Sequence, residues 1–375
     1  MSIPYNKVTA VIELANIVHN YQILSAASGS GAPIAVVKAD AYGHGLSQVA
    51  QVLAGAGAET FAVGTVDEAV ALRATGHAHR VIALLGPVED AEYATLWSAG
   101  VIPFLHTFEQ LDRLAQIETT QDEVLPVALK FDTGMRRLGF TLADVPALAG
   151  RLKAMKNVRL DMVSSHLATA DEPESLAYVA AQAEEFASIR RELAALGLAH
   201  TANIANSAAI LGHPDLHLDQ QRAGIALYGG NPFHGTEREA LGRGLKPAMS
   251  VKTKILSVHG LRAGQSVSYG CTYTAPEDKT VAIVAAGYAD AYSRALSAKA
   301  QMCLKGRRVP ILGRVCMQMC AVDVTGMDGV RAGDDIWLLG GDGEGRITPE
   351  ELAAWWGTTT YEVFCLLGLN KREFV

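Results

Sequence analysis

In the stretch PIAVVKADAYGHG (33–45) a lysine follows an apolar run. Residues 34–37 are apolar at successive positions, which marks a strand buried on both faces. Lys38 stands at its exit, with Asp40, Tyr42 and glycines 43 and 45 just beyond. A lysine there is usually a solvated charge. On an apolar wall, desolvation lowers its pKa and leaves a nucleophilic amine that condenses with aldehydes. Other polar residues sit beside similar runs. Lys130 lies near the end of PVALKF (126–131) and His166 ends LDMVSSH (160–166). Asn206 ends the strand-like ANIAN (202–206) with Ser207 next, and Arg222 abuts AGIALYG (223–229). Cys316 and Cys320, within VCMQMC, have no second pair at ligand spacing, so no metal site is expected.

These residues need a scaffold that brings strand ends together. Short apolar runs recur at 34–38, 60–64, 81–85, 101–105, 126–131, 160–166, 202–206 and 223–229. Most are separated by helical patterns such as LSQVAQVLAGAG, DEAVALRATG and EQLDRLAQI. Eight strands alternating with helices predict an α/β fold with an amino-terminal (β/α)8 TIM-type barrel, whose chemistry collects at the carboxyl ends of its strands. On one rim, the lysine suggests pyridoxal phosphate. The loops after strands seven and eight offer Ser207 and the Gly224 and Ile225 amides as a phosphate cradle. From about residue 246 the pattern becomes strands broken by glycine turns, with one late helix in TPEELAAWWG. We therefore expect a barrel over 1–240 and a mainly-β domain over 241–375, with the first ~10 residues packing against the second domain.

Bulk composition narrows the function. Lys and Arg total 32 against 39 Asp and Glu, a formal charge of −7, which provides no basic field for nucleic acid or an anionic membrane. No apolar run approaches the ~18 residues of a membrane span, and MSIPYNKVTA lacks the regions of a signal peptide, so a cytoplasmic location is expected. Five cysteines without CxxC spacing are expected as reduced thiols.

The motifs AVVKADAYGHG, KFDTGMRRLGF, SSHLATADE, ANSAAI, RAGIALYGG, SVSYGCTYTA, GYADAYSR, GRVCM and GTTTYEV occur in an order that resembles the alanine racemases. Those are pyridoxal-phosphate enzymes with a (β/α)8 barrel and a carboxyl-terminal β domain, and the resemblance spans nearly the whole chain. It implies interconversion of L- and D-alanine by a two-base mechanism on a pyridoxal-phosphate aldimine, for cell-wall D-alanine or alanine catabolism. Lys38 would carry the cofactor and serve the D-alanine side, and Tyr269 the L-alanine side. A phenol with its ordinary pKa of ~10 is a poor base at neutral pH unless a cation is near, which is the role the resemblance gives to His166 linked to Arg222. Arg222 would also meet the pyridine nitrogen, and as a guanidinium that keeps its proton it would weaken the electron sink and limit transamination. Arg137 and Met317 would contact substrate. Tyr42, Ser207, Gly224, Ile225 and Tyr361 would hold the phosphate or line the channel. Lys130 matches a lysine carbamylated in some members, where it braces that arginine. Asp171, Tyr288, Arg294 and Arg314 would surround the access corridor, while His44 reads as a local hydrogen-bonding group. Because Tyr269 and Met317 reach the partner's barrel in this family, a homodimer with shared sites is implied.

Two positions depart from the family pattern. Gln318 follows Met317 where aspartate is usual, and Ala291 replaces the glycine of GYADG. The rival readings are a barrel decarboxylase, a racemase for serine or another small amino acid, and a noncatalytic pyridoxal-phosphate-binding protein. Noncatalytic relatives lack the second domain and its tyrosine, and both features are found here.

Overall fold

The computed structural model describes residues 6–29, 33–117 and 124–375; the first five residues of the amino-terminal stretch read above lie outside them. A strand, β1 (Thr9–Ile12), opens the chain, and eight short strands follow: β2 (Ile34–Val36), β3 (Thr60–Val63), β4 (Arg80–Ala83), β5 (Val101–Leu105), β6 (Leu125–Lys130), β7 (Val158–Ser164), β8 (Thr201–Asn203) and β9 (Arg222–Ala223). β2 to β8 pair in parallel in sequence order, and β2 also pairs with β9, with Ile34 opposite Arg222. The Arg222 N–H donates to the Ala205 carbonyl at 2.9 Å and closes the ring. Helices cover the outside, so strand residues such as Phe61, Val81, Ile82, Val127 and Val163 are fully buried. That is why they read as unbroken apolar runs.

Three expected strands end early. The run 223–229 continues only to Ala223. Gly224, at φ −113° and ψ −108°, turns the chain into a 3-10 turn, Ile225–Tyr228, in which the Tyr228 hydroxyl donates to the Val36 carbonyl at 2.9 Å. The run 202–206 stops at Asn203 because Asn206 caps the helix Ser207–Gly212, its side chain accepting from the Ala209 N–H at 3.0 Å. The third is β2, which stops at Val36, so Lys38 is not a strand residue.

Lys38 begins a single left-handed turn instead. Ala39, Asp40, Ala41 and Tyr42 have φ of 53°, 53°, 54° and 53°. The Gly43 N–H returns to Ala39 O at 3.0 Å. Left-handed backbone costs roughly 1–2 kcal/mol for each non-glycine residue, so the surroundings must enforce it. Arg372 pairs with Asp40, and its guanidinium also donates to the Gly43 carbonyl at 3.3 Å. Gly43 has no room for a side chain, since a Cβ there would lie 2.4 Å from the Phe364 carbonyl. His44 is fully buried between the rings of Tyr228 and Phe364, with centroids 4.6 and 5.0 Å away, and its Nδ1 donates to Tyr42 O at 3.0 Å.

The rest of the chain forms a second eight-stranded sheet built around β10 (Met249–Leu261). Early in β10 the partner is Asp335–Leu339, and late in it the partner is Lys279–Val284, so the sheet closes on itself. β1 joins this sheet, antiparallel to β10 and parallel to Lys371–Phe374. Two helices complete it, Pro349–Trp356 and Thr360–Leu367. The second lies over GTTTYEV, a segment whose sequence pattern does not announce a helix. Asn20 ties the two parts together, its amide donating to the carbonyls of Leu227 and Lys246 at 3.0 and 2.8 Å. Among the described residues, no helix is long and apolar enough to cross a membrane.

His44 carries a pH consequence. Burial pushes its imidazole down to about 4 from 6.5. Between those values the unfolded chain holds a proton that the folded chain does not. Its stabilising contribution is therefore complete above pH 6.5 and declines as pH falls toward 4, by about 3 kcal/mol in total. Urea unfolding at pH 7 and pH 5 should show a steeper loss for the parent than for His44→Phe; equal losses would contradict this assignment.

Candidate active site

The carboxyl ends of the barrel strands enclose a cavity of about 490 Å³. Lys38, Tyr42, Lys130, Arg137, His166, Ser207, Arg222, Gly224, Ile225 and Tyr361 all line it, with Leu84, Leu85, Phe104, Met135 and Leu138 as its apolar walls. The sequence pattern had not marked these walls. Leu84, Leu85 and Phe104 belong to ordinary strand runs, and nothing local distinguishes a core leucine from one facing a ligand.

Arg222, on β9, is almost completely buried. Its Nη1 donates to Ser164 Oγ at 2.7 Å, and its Nη2 donates to Ser165 O at 2.6 Å and to His166 Nδ1 at 3.1 Å. None of these bonds uses Nε. Burial pushes the guanidinium down to about 10, which still leaves it charged at neutral pH. His166 is held well below its ordinary value by burial and by Arg222, Lys130, Arg137 and Lys38, so it is a neutral imidazole. Lys130 donates to Phe131 O at 2.8 Å; burial and then Arg222 bring its amine down to about 7. Lys38 is lowered by desolvation, then by Arg137 and Arg222.

Two carboxylates act on these cations, Glu68 on Lys38 and Asp132 on Lys130, and Asp132 is already engaged. Its oxygens accept the N–H groups of Gly134, Arg136 and Arg137 at 2.8, 3.0 and 2.9 Å, shaping the loop that carries Arg137 to the rim. Desolvation raises this carboxyl, but those three donors outweigh it and leave the net shift downward. The cavity thus has an excess of positive charge and is suited to anions.

An anion cradle lies on one wall. Ser207 Oγ accepts the Gly224 N–H at 2.9 Å and the Ala226 N–H at 3.3 Å, and a Cβ on Gly224 would lie 3.0 Å from the Tyr42 hydroxyl. Tyr42 stacks on Tyr228 at 4.7 Å, and burial raises its phenol, which stays protonated as a donor. An amine at one side, hydroxyl and amide groups at another and a guanidinium whose Nε makes none of these bonds match an aromatic aldehyde bearing a phosphate. The residues fit pyridoxal phosphate.

Tyr269 and Met317 are absent from this cavity. They lie on the carboxyl-terminal sheet domain, 71% and 58% exposed, with Tyr288 and Arg314 beside them. Ser268 Oγ donates to Arg314 O at 2.7 Å, and the Tyr288 and Ala289 N–H groups donate to Cys316 O and Met317 O at 3.1 and 2.8 Å. Arg294 is exposed one turn away, where Ser297 links it to the Arg314 segment. Gln318 is exposed next to Met317. Asp171 is at the barrel mouth, close enough to raise the Tyr361 phenol after burial has done so. Cys316 precedes the strand Cys320–Asp323 instead of sharing it, and among the described residues no three metal-ligating side chains gather.

Comparison with known proteins follows the same division. Residues 12–232 match the family model described as alanine racemase, N-terminal domain, and residues 248–374 match its C-terminal domain. The alanine racemase of Nitratidesulfovibrio vulgaris (strain Miyazaki F) is 52% identical over 372 residues, 99% of each chain. The structure of alanine racemase from Streptomyces coelicolor A3(2) superposes with a TM-score of 0.92 at 32% identity, covering 98% of both chains. That of Bartonella henselae, with covalently bound pyridoxal phosphate, gives 0.87 at 28% identity over 99% of this chain and all of its own. Full-length likeness at this level shows that the chain belongs to the alanine racemase family.

Proposed function

We propose that this protein interconverts L- and D-alanine with pyridoxal phosphate. The observation that carries the reading is the convergence of Lys38, the Ser207–Gly224 cradle and the Arg222–His166 pair on one cation-rich cavity, in a chain with full-length likeness to alanine racemases. When bound, the cofactor supplies an electron sink that acidifies the Cα–H of an amino acid joined to it.

The protein's own groups then determine the outcome. Lys38, its amine lowered by burial and then by Arg137 and Arg222, removes or returns the proton on one face of Cα. Racemisation needs a second base on the opposite face. In this reading that base is Tyr269 of a second copy, because Tyr269 is exposed on its own chain and outside its own cavity. Met317 of that copy would accompany it, making the active enzyme a homodimer. Arg137 holds the substrate carboxylate at the rim. Ser207, Tyr42 and the Gly224 and Ile225 amides hold the phosphate. Arg222, which does not give up its proton, meets the ring nitrogen. Tyr361 and Asp171 narrow the mouth toward a small side chain, with Tyr288, Arg294 and Arg314 completing the corridor from the second copy. A cytoplasmic supply of D-alanine for the cell wall is the role that this activity suits. We place the domain boundary near residue 240, between the two family-model matches.

Lys130 has an amine brought down to about 7, with Asp132 and Arg137 near it, and among the described residues it makes no ion pair. A neutral amine adds carbon dioxide, and the resulting carbamate would turn a repelling cation into an anion that restrains Arg137.

Two experiments test these assignments. L-Alanine incubated in deuterated water should yield D-alanine with deuterium at Cα. Lys38→Ala should abolish the exchange, and Tyr269→Phe should slow it by about 10²–10⁴-fold. L-Serine in parallel should react far more slowly. Failure of the parent protein to produce any D-alanine would overturn the reading. For Lys130, 13C-bicarbonate should give a carbamate NMR signal that Lys130→Ala removes, and an unchanged spectrum would exclude the modification.

A further inference from the structure

We infer that Glu68 is a positioning residue for Lys38, its carboxylate fixing the backbone from which the cofactor-bearing amine projects. This rests on the function proposed above. Glu68 lies in the first turn of the helix Val66–Ala74, after β3, and would ordinarily be read as part of that helix's capping box with Thr65. Its carboxylate extends further. One oxygen accepts the Ala39 N–H at 2.7 Å, and the other accepts the Gly64 N–H at 2.6 Å. A single group therefore bridges the residue after Lys38 and the residue after the neighbouring strand.

The geometry favours this contact in three ways. Ala39 is the first left-handed residue, and its N–H points out of the turn, whose own hydrogen bonds start at Ala41. The far end of the turn is held separately by Arg372 through Asp40 and Gly43, so Glu68 supplies the near end. Gly64 leaves the space required, since a Cβ there would lie 3.0 Å from the Glu68 carboxylate and 3.7 Å from Lys38 Cβ.

A carboxylate suits the position because both oxygens accept. Glutamine would set an NH2 against one of two backbone N–H donors, and aspartate would fall a methylene short of Ala39. Thr65 serves as the control, because its hydroxyl accepts only the Glu68 N–H at 3.1 Å and caps the same helix without touching Ala39.

The test compares Glu68→Gln, Glu68→Asp and Thr65→Ala holoenzymes with the parent. Borohydride reduction and peptide mass spectrometry read the share of Lys38 that bears cofactor, and steady-state kinetics read kcat and KM for both alanine enantiomers. Both Glu68 variants should lose Lys38-linked cofactor and drop about 10²-fold in kcat, while KM changes little. Thr65→Ala should lower Tm and leave kcat and the linkage at parent values. If Glu68→Gln fails to fold, Glu68→Asp decides the question. The inference is overturned if the Glu68 variants keep kcat and linkage and lose only Tm, or if Thr65→Ala loses linkage equally. A parent that fails to racemise alanine would instead remove the proposed function, while the linkage measurement would still decide the role of Glu68.

Discussion

Uncompensated positive charge in one cavity organises this protein. Lys38, Lys130, Arg137 and Arg222 face a common space, and the two carboxylates close to them, Asp132 and Glu68, are each occupied by backbone N–H donors. Like charges brought together in a poorly solvated space oppose one another. The relief open to this cavity is to lower the pKa of its amines or to bind an anion. Both responses suit the proposed chemistry. The lysines are shifted downward, and a phosphate and a carboxylate are the ligands that the site is charged to receive. His166, surrounded by those cations, stays neutral and accepts Arg222's hydrogen bond at the cavity wall.

Holding such a cluster in place takes more than a barrel. Arg222 keeps its position through the Ser164 hydroxyl that ends β7 and the Ser165 carbonyl just after it, and Lys38 through a strained turn that packs against a segment from the far end of the chain. Phe364, Gly368 and Arg372 belong to the carboxyl-terminal sheet domain and its helices, and they close around residues 40–45. The second domain thus supports Lys38 of its own chain while presenting Tyr269 and Met317 outward.

Much of this was legible in the sequence. The eight apolar runs give the barrel because strands covered on both faces cannot alternate, and Lys38, His166, Ser207 and Arg222 follow from their places at strand ends. Backbone conformation was less visible. Nothing in KADAY announces a left-handed turn, since alanine and aspartate are ordinary helix residues and the cost is met by distant contacts. Ala291 makes the same point: it adopts φ 59° where relatives of this motif carry glycine, and a single residue letter shows the substitution without the strain. Glu68 was hidden by a simpler role, as T-x-x-E reads as a helix start. The helix over 360–367 was masked by the threonines before it, and packing of Val363, Phe364 and Leu367 into the core outweighs their modest propensity.

The central claim is that one catalytic site draws its two bases from two copies of the chain. Tyr269 is exposed on its own chain and lies outside its own cavity, so a site that uses it must take it from a second copy. Co-expressing Lys38→Ala and Tyr269→Phe chains, each carrying a different affinity tag, and assaying the doubly purified pairs tests this directly. A pair of mixed chains retains one site with both bases intact, so it should recover about half the activity of the parent dimer, whereas either variant alone is nearly inactive. Mixed pairs no more active than the single variants would contradict the shared site.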